Sequence, residues 1–170
     1  MSRRFVRKGD VVRVTLSEPE RELLRELPEQ LRGLYSSDDP DDAVTARLFP
    51  RAYLDPTEET AEREWESLVR PEILREKLAA LELVVVALDA ASPGRRGRLV
   101  VDLGEDDVAA FLGVLNDARL ALGTTIGVTD DLDLSVLDPS DPESAAYAAY
   151  GWLTYLQGEL VETLLGKMPG

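Results

Sequence analysis

The sequence predicts an α+β domain, predominantly α-helical, with about five or six helices packed on a small two- or three-stranded antiparallel sheet. Three observations predict it. Helix starts are marked by capping-box patterns at Ser17-Glu18-Pro19-Glu20, Asp55-Pro56-Thr57-Glu58 and Ser140-Asp141-Pro142-Glu143, where the cap side chain accepts from an otherwise unpaired helical N–H. Apolar residues recur at helical spacing after each box. Two short segments, 12–16 and 99–103, instead place large apolar residues at alternate positions, the period of a half-buried strand. The 170 residues suit a single globular domain over 1–170, long enough to bury a proper core.

Each element has its own local reason. An N-terminal strand or hairpin covers about 4–16, because the Gly9-Asp10 pair suits a two-residue hairpin turn between Phe5-Val6-Arg7-Lys8 and the strand at 12–16. The first helix runs from Glu18 to about Tyr35 on Leu23, Leu24, Leu27, Leu31 and Leu34, with Pro28 as a possible kink. A Ser-Asp-Pro loop and a short helix before Pro50 follow. The stretches 57–69 and 71–88 read as two helices meeting at Pro71, and Ser92-Pro93-Gly94 closes that region. A second strand at about 98–103 leads at Gly104 into a long helix over about 105–126, with Val108, Phe111, Leu112, Leu115 and Leu122 on its inner face. The last helix, about 141–165, carries Tyr150, Leu153, Leu156, Leu160 and Leu164 on one stripe.

Composition excludes more chemistry than it suggests. The chain has no histidine and no cysteine, which removes the usual neutral-pH proton shuttle, the thiol nucleophile and every disulfide. No cofactor or metal is expected. Neither phosphate-cradling glycine motif is present, and no serine sits in a nucleophile elbow. The run from Asp131 to Ser135 begins like a calcium loop but puts Val136 where that loop needs glycine. A catalytic set is therefore absent from the motifs; an enzyme using carboxylates and arginines alone is permitted by 33 acidic residues but supported by nothing. No signal peptide or membrane span is expected, which places the protein in the cytoplasm.

With a net charge of -14, tight DNA binding by the chain alone is not expected, because the phosphate backbone repels it. Two basic clusters break the acidity: Arg3, Arg4 and Arg7, then Arg95, Arg96 and Arg98. If the predicted strands pair, the clusters form a positive pole for an acidic partner; the plainer alternative is a sheet edge blunted by charge. The last helix is aromatic on several sides, with Tyr150, Trp152 and Tyr155 pointing in different directions. Those rings are either central core or a homodimer contact, and a homodimer is expected.

One set of residues carries a likeness. Leu115-Asn116-Asp117-Ala118-Arg119-Leu120-Ala121-Leu122-Gly123, then Tyr150-Gly151-Trp152-Leu153-Thr154-Tyr155-Leu156-Gln157 and Leu165-Gly166, together with Arg47-Leu48-Phe49-Pro50, resemble an actinobacterial family of domains of unknown function. That family includes the actinomycete oxidative-stress transcription regulator (AosR-like). The resemblance implies a cytoplasmic regulatory protein acting through protein partners, such as an extracytoplasmic-function sigma factor, to raise expression of cysteine-biosynthesis genes. It also implies redox sensing through a disulfide near the N-terminus. This chain has Arg3 to Asp10 there and no cysteine anywhere, so the thiol switch does not carry over.

Overall fold

Among the described residues, a four-stranded antiparallel sheet, with Phe5–Lys8, Val11–Leu16, Leu99–Leu103 and Ser92–Pro93 side by side in that order, is the floor on which five helices pack. The computed structural model describes residues 3–39, 41–128, 138 and 140–166. Its elements are β1 (Phe5–Lys8), β2 (Val11–Leu16), α1 (Glu18–Tyr35), α2 (Ala43–Leu48), α3 (Glu59–Asp89), β3 (Ser92–Pro93), β4 (Leu99–Leu103), α4 (Glu105–Ile126) and α5 (Pro142–Leu165). The calcium-like run at 131–135 lies outside the described residues.

The sheet follows from alternation. Val14 stands between Phe5 on β1 and Val101 on β4, and all three side chains are buried on the helix-covered face. On the opposite face Arg13 lies directly across from Asp102, and its guanidinium donates to both carboxylate oxygens at 2.7 and 2.9 Å. Gly9 makes the hairpin turn at φ 62, a conformation in which a Cβ would be strained. Leu24 and Leu31 of α1, Leu81 and Leu88 of α3, Phe111 and Leu115 of α4, and Leu156 and Leu160 of α5 fill the space above the sheet. Each such buried side chain contributes about 1.5–3 kcal/mol of transfer free energy.

The capping box at α1 is complete: Glu20 N donates to Ser17 Oγ and Ser17 N to the Glu20 carboxylate. The other two boxes resolve differently. Asp55 caps a short 3-10 turn, Pro56–Glu58, that precedes α3, and Asp141 rather than Ser140 caps α5, accepting from Glu143 N at 3.0 Å. Pro142 then takes the first helical position, where its missing N–H costs nothing.

Two expectations are corrected. The sheet has four strands rather than two or three, since Ser92 and Pro93 pair with Val100 and Leu99. Proline can serve there because β3 is an edge strand. The stretches on either side of Pro71 form one helix, α3, rather than two. Pro71 leaves the Ser67 carbonyl without its helical donor, but tertiary anchors hold the line: Arg70 donates to Ser37 O at 3.4 Å and its guanidinium lies 4.7 Å above the Phe49 ring. Packing outweighs a local preference of this size.

The exposed edge of β1 is covered by α5. Arg4 N and Phe5 N donate to Glu159 Oε1 at 2.5 and 3.4 Å, and Thr163 Oγ1 donates to Phe5 O at 3.3 Å. A buried carboxylate and a threonine thus take the place of a neighbouring strand. No helix among the described residues is long and apolar enough to cross a membrane.

Candidate functional site

Polar chemistry concentrates in the middle of α4. Asp117 and Arg119 are two residues apart, a rotation of about 200° on an α-helix, so they project toward nearly opposite sides. Asp117 faces α1 and α3. It is buried, and its Oδ2 accepts from the Tyr35 hydroxyl at 2.5 Å and from Lys77 Nζ at 2.6 Å. The Tyr35 ring meets Phe49 edge-on at 5.9 Å, and the Lys77 ammonium lies 5.6 Å from one ring centroid and 5.7 Å from the other. Burial, then the bond to Asp117, pushes the Tyr35 hydroxyl far above its ordinary value, so it stays protonated. The cluster pins three helices together with its charges matched. A cavity of about 240 Å³ borders it, lined in part by Ile73, Glu76 and Gly113.

The side of α4 toward α5 is where the two motifs of the family resemblance meet. Asn116 Oδ1 accepts from Gln157 Nε2 at 3.3 Å and from Arg119 Nη2 at 3.4 Å. Gly123 lies against the Tyr150 ring, and a Cβ at that position would stand 2.9 Å from a ring carbon. The Tyr147 hydroxyl donates to Ile126 O at 3.1 Å, satisfying one of the open carbonyls at the end of α4. Helix α4 then ends on Gly127 in the left-handed region at φ 69.

On that same side Arg119 borders a cavity of about 600 Å³ between α2, α4 and α5, whose walls include Arg47, Leu120, Thr124, Val128 and Tyr150. Arg119 is half-buried, and its Nε is closed off from solvent with no hydrogen-bond partner among the described residues. Arg47 is exposed at the edge of the same cavity.

The basic clusters of the sequence divide. Arg4 and Arg98 both reach Glu20, at 2.5 and 3.7 Å. Burial raises the Glu20 carboxyl, but the Ser17 N–H and Arg4 outweigh it and hold the group below its ordinary value. Arg3, Arg95 and Arg96 are exposed at this end of the sheet, beside the first residue of β4 and the start of β1. Arg7 lies toward the other end, opposite Val12 near the hairpin turn. Arg96 adopts φ 56 and Gly97 φ 71, a tight turn closed by Arg98 N donating to Arg95 O at 3.1 Å. Left-handed backbone at a non-glycine residue is uncommon and carries a steric cost.

Of the aromatic residues of α5, Tyr150 is half-buried against Gly123, Trp152 is half-buried on the edge of the core, and Tyr155 is 56% exposed. Tyr155 stands near Glu159, whose carboxylate raises its hydroxyl above the ordinary value. Reading the sequence missed the Asp117–Lys77–Tyr35 cluster and the Arg47–Arg119 cavity. The available signals were Lys77, one of only three lysines, and two arginines inside segments that carry the family likeness.

Comparison with known proteins places these features in a family. The chain is 34% identical over 139 residues to the oxidative stress regulator AosR of Mycobacterium tuberculosis (strain ATCC 25618 / H37Rv), covering 75% of this chain and 61% of that protein. The figures for the oxidative stress regulator AosR of Mycobacterium bovis are the same. The chain thus spans about three fifths of the length of these relatives. No solved structure matches it. The profile of DUF2017, a domain of unknown function, matches residues 2–164, and the chain belongs to that family.

Proposed function

We propose that this protein is a non-enzymatic cytoplasmic regulator of oxidative-stress gene expression that acts through a protein partner, with an extracytoplasmic-function sigma factor as the first partner to test. The observation that carries this reading is the similarity over 75% of the chain to proteins named oxidative stress regulators. The disposition of charge supports it. Three buried carboxylates are engaged in holding the fold: Asp117 by Tyr35 and Lys77, Glu159 by the β1 backbone, and Glu62 by Tyr53 N at 2.8 Å. They do not converge as an acid–base pair would. The exposed Arg95-Arg96 turn, by contrast, is a basic feature on an acidic chain and suits docking to an acidic surface.

The test is binding of the purified protein to purified sigma factors from its own genome, followed by surface plasmon resonance at several salt concentrations. Saturable binding that Arg95→Glu with Arg96→Glu slows in its association phase supports the reading. Absence of binding to every sigma factor counts against that partner. Nanomolar binding of the isolated protein to DNA at physiological salt would replace it with direct DNA recognition, which the charge of -14 disfavours. Regulation here proceeds without a thiol: peroxide or diamide should leave the mobility of the protein on a non-reducing gel unchanged. No membrane association is proposed.

A second reading concerns assembly. Val161 and Leu165, one turn apart on α5, are exposed, as is Tyr155 nearer the middle of the helix, and these favour α5 as a homodimer contact or an adaptor surface. Light scattering at high micromolar concentration decides it, and a monomer there removes this reading.

A further inference from the structure

The cavity between α2, α4 and α5 holds two arginines and no carboxylate among its described walls. That is unusual for this chain, in which 33 acidic residues outnumber 19 basic ones. Among the described residues, the ion pairs engage Arg4, Arg13, Arg21, Arg25, Arg32, Arg51, Lys77 and Arg98. Arg119 and Arg47 are in none of them. The side-chain partner of Arg119 is the neutral Asn116 amide oxygen, at 3.4 Å, and its Nε is buried without a partner among the described residues. A guanidinium withdrawn from water with an unused donor is destabilising unless something supplies an acceptor.

We propose that this cavity binds a small organic anion, a carboxylate or phosphate group on an apolar or aromatic body, with Arg119 and Arg47 holding the charged group. A guanidinium offers a planar fork of donors that matches the paired oxygens of either anion. Arg119 comes from the middle of a long helix and is steadied by the Asn116–Gln157 contact, so its position is set before the ligand arrives. Arg47 brings a second positive charge from α2 at the open side. Leu120, Val128 and the Tyr150 ring offer apolar surface for the body of the ligand, and about 600 Å³ is ample room for a molecule of metabolite size. The proposal is independent of the sigma-factor reading, because it concerns a different face from the Arg95-Arg96 turn.

Isothermal titration calorimetry of the full chain with phenyl phosphate, benzoate and the uncharged benzyl alcohol tests it. Saturable binding of phenyl phosphate or benzoate, with no binding of benzyl alcohol, is expected; which anion binds more tightly identifies the class of charged group. Arg119→Gln and Arg47→Gln should each weaken that binding about tenfold or more. Arg95→Gln with Arg96→Gln should leave it unchanged. Arg47 is exposed, so its variant reads the site even if Arg119→Gln disturbs packing. Failure of both anions to saturate the wild-type protein overturns the proposal. So does equal binding by wild type and the Arg47→Gln and Arg119→Gln variants, which would place the anion elsewhere.

Discussion

Asp117 and Arg119 share one helix, yet the two sides of α4 treat them oppositely. Toward α1 and α3, a buried carboxylate receives both a phenol and an ammonium at about hydrogen-bond distance. Toward α2 and α5, a half-buried guanidinium has a neutral amide for company and faces a cavity. A fully satisfied polar cluster in low dielectric ties elements together and leaves no valence for a ligand. An under-satisfied one is the form a binding site takes before its ligand arrives. The difference teaches that the charged residues of this family motif divide into one that holds the fold and one without a charged partner among the described residues.

The largest test of that contrast is Asp117→Ala. It strands the Lys77 ammonium and the Tyr35 hydroxyl and should cost about 3 kcal/mol by urea denaturation, the lower end for a broken buried pair because Lys77 is partly exposed. Asp117→Leu combined with Lys77→Met should recover much of that loss. Arg119→Gln, on the other side, should leave stability unchanged or raise it. A large loss there would erase the comparison. The same cluster sets an alkaline limb: because burial and Asp117 raise the Tyr35 hydroxyl above its ordinary 10.0, its contribution is present below pH 10 and lost as pH rises beyond it. Tyr35→Phe should remove that limb.

Next in size is the seam between α4 and α5. Gly123→Ala gains about 1 kcal/mol of helix propensity, but its Cβ meets the Tyr150 ring at 2.9 Å, an overpacking that costs about 1–3 kcal/mol. A net loss near 1 kcal/mol is expected in thermal unfolding, and Tyr150→Leu in the same chain should reverse it.

Smaller still is the basic turn. Arg96→Gly relieves about 1–2 kcal/mol of left-handed strain and adds back part of it through unfolded-chain entropy, for a gain in stability of about 0.5 kcal/mol, read as a higher denaturant midpoint. If the turn is a docking surface, the same change should weaken partner binding while the protein becomes more stable.

The smallest individual effects belong to the surface carboxylates. Asp89 and Asp102 are held low by hydrogen bonds donated by Arg25 and Arg13, which outweigh an opposing desolvation. Glu20 is held low as well, despite its burial. Groups depressed in the folded state stabilise it above their ordinary values, here 3.8 and 4.5. That stabilisation disappears as pH falls through the lower folded values. Urea midpoints should therefore be level above about pH 5 and decline below pH 4, with Arg13→Gln and Arg25→Gln making the decline shallower.

Much of the fold was legible in the chain, and particular residues show why. The hairpin at Gly9, the box at Ser17 and Glu20, and the end of α4 at about 126 depend on contacts within a few residues, so their signals are local. The alternation of Val12, Val14 and Leu16 marks a sheet face for the same reason. The short β3 was missed because Ser92-Pro93 has neither length nor alternation, and it is a strand only because β4 lies beside it. The continuity of α3 across Pro71 was missed because its anchors, Ser37 and Phe49, are distant in sequence. The aromatic residues of α5 were visible, but not that Tyr150 sits on Gly123.

By itself, the sequence determined the capping box that opens α1, which faces are apolar, that no thiol or imidazole chemistry exists, and which segments carry the family likeness. These are properties of neighbouring residues and of composition, and neither needs a tertiary structure. Only the tertiary structure decided that Lys77 and Tyr35 close on Asp117 while Arg119 finds no carboxylate among the described residues, and that Glu159 guards the edge of β1. Helical periodicity assigns a side chain to a direction, but the partner waiting there comes from elements 40 or more positions away. Whether a charge is matched or left open is therefore settled by packing.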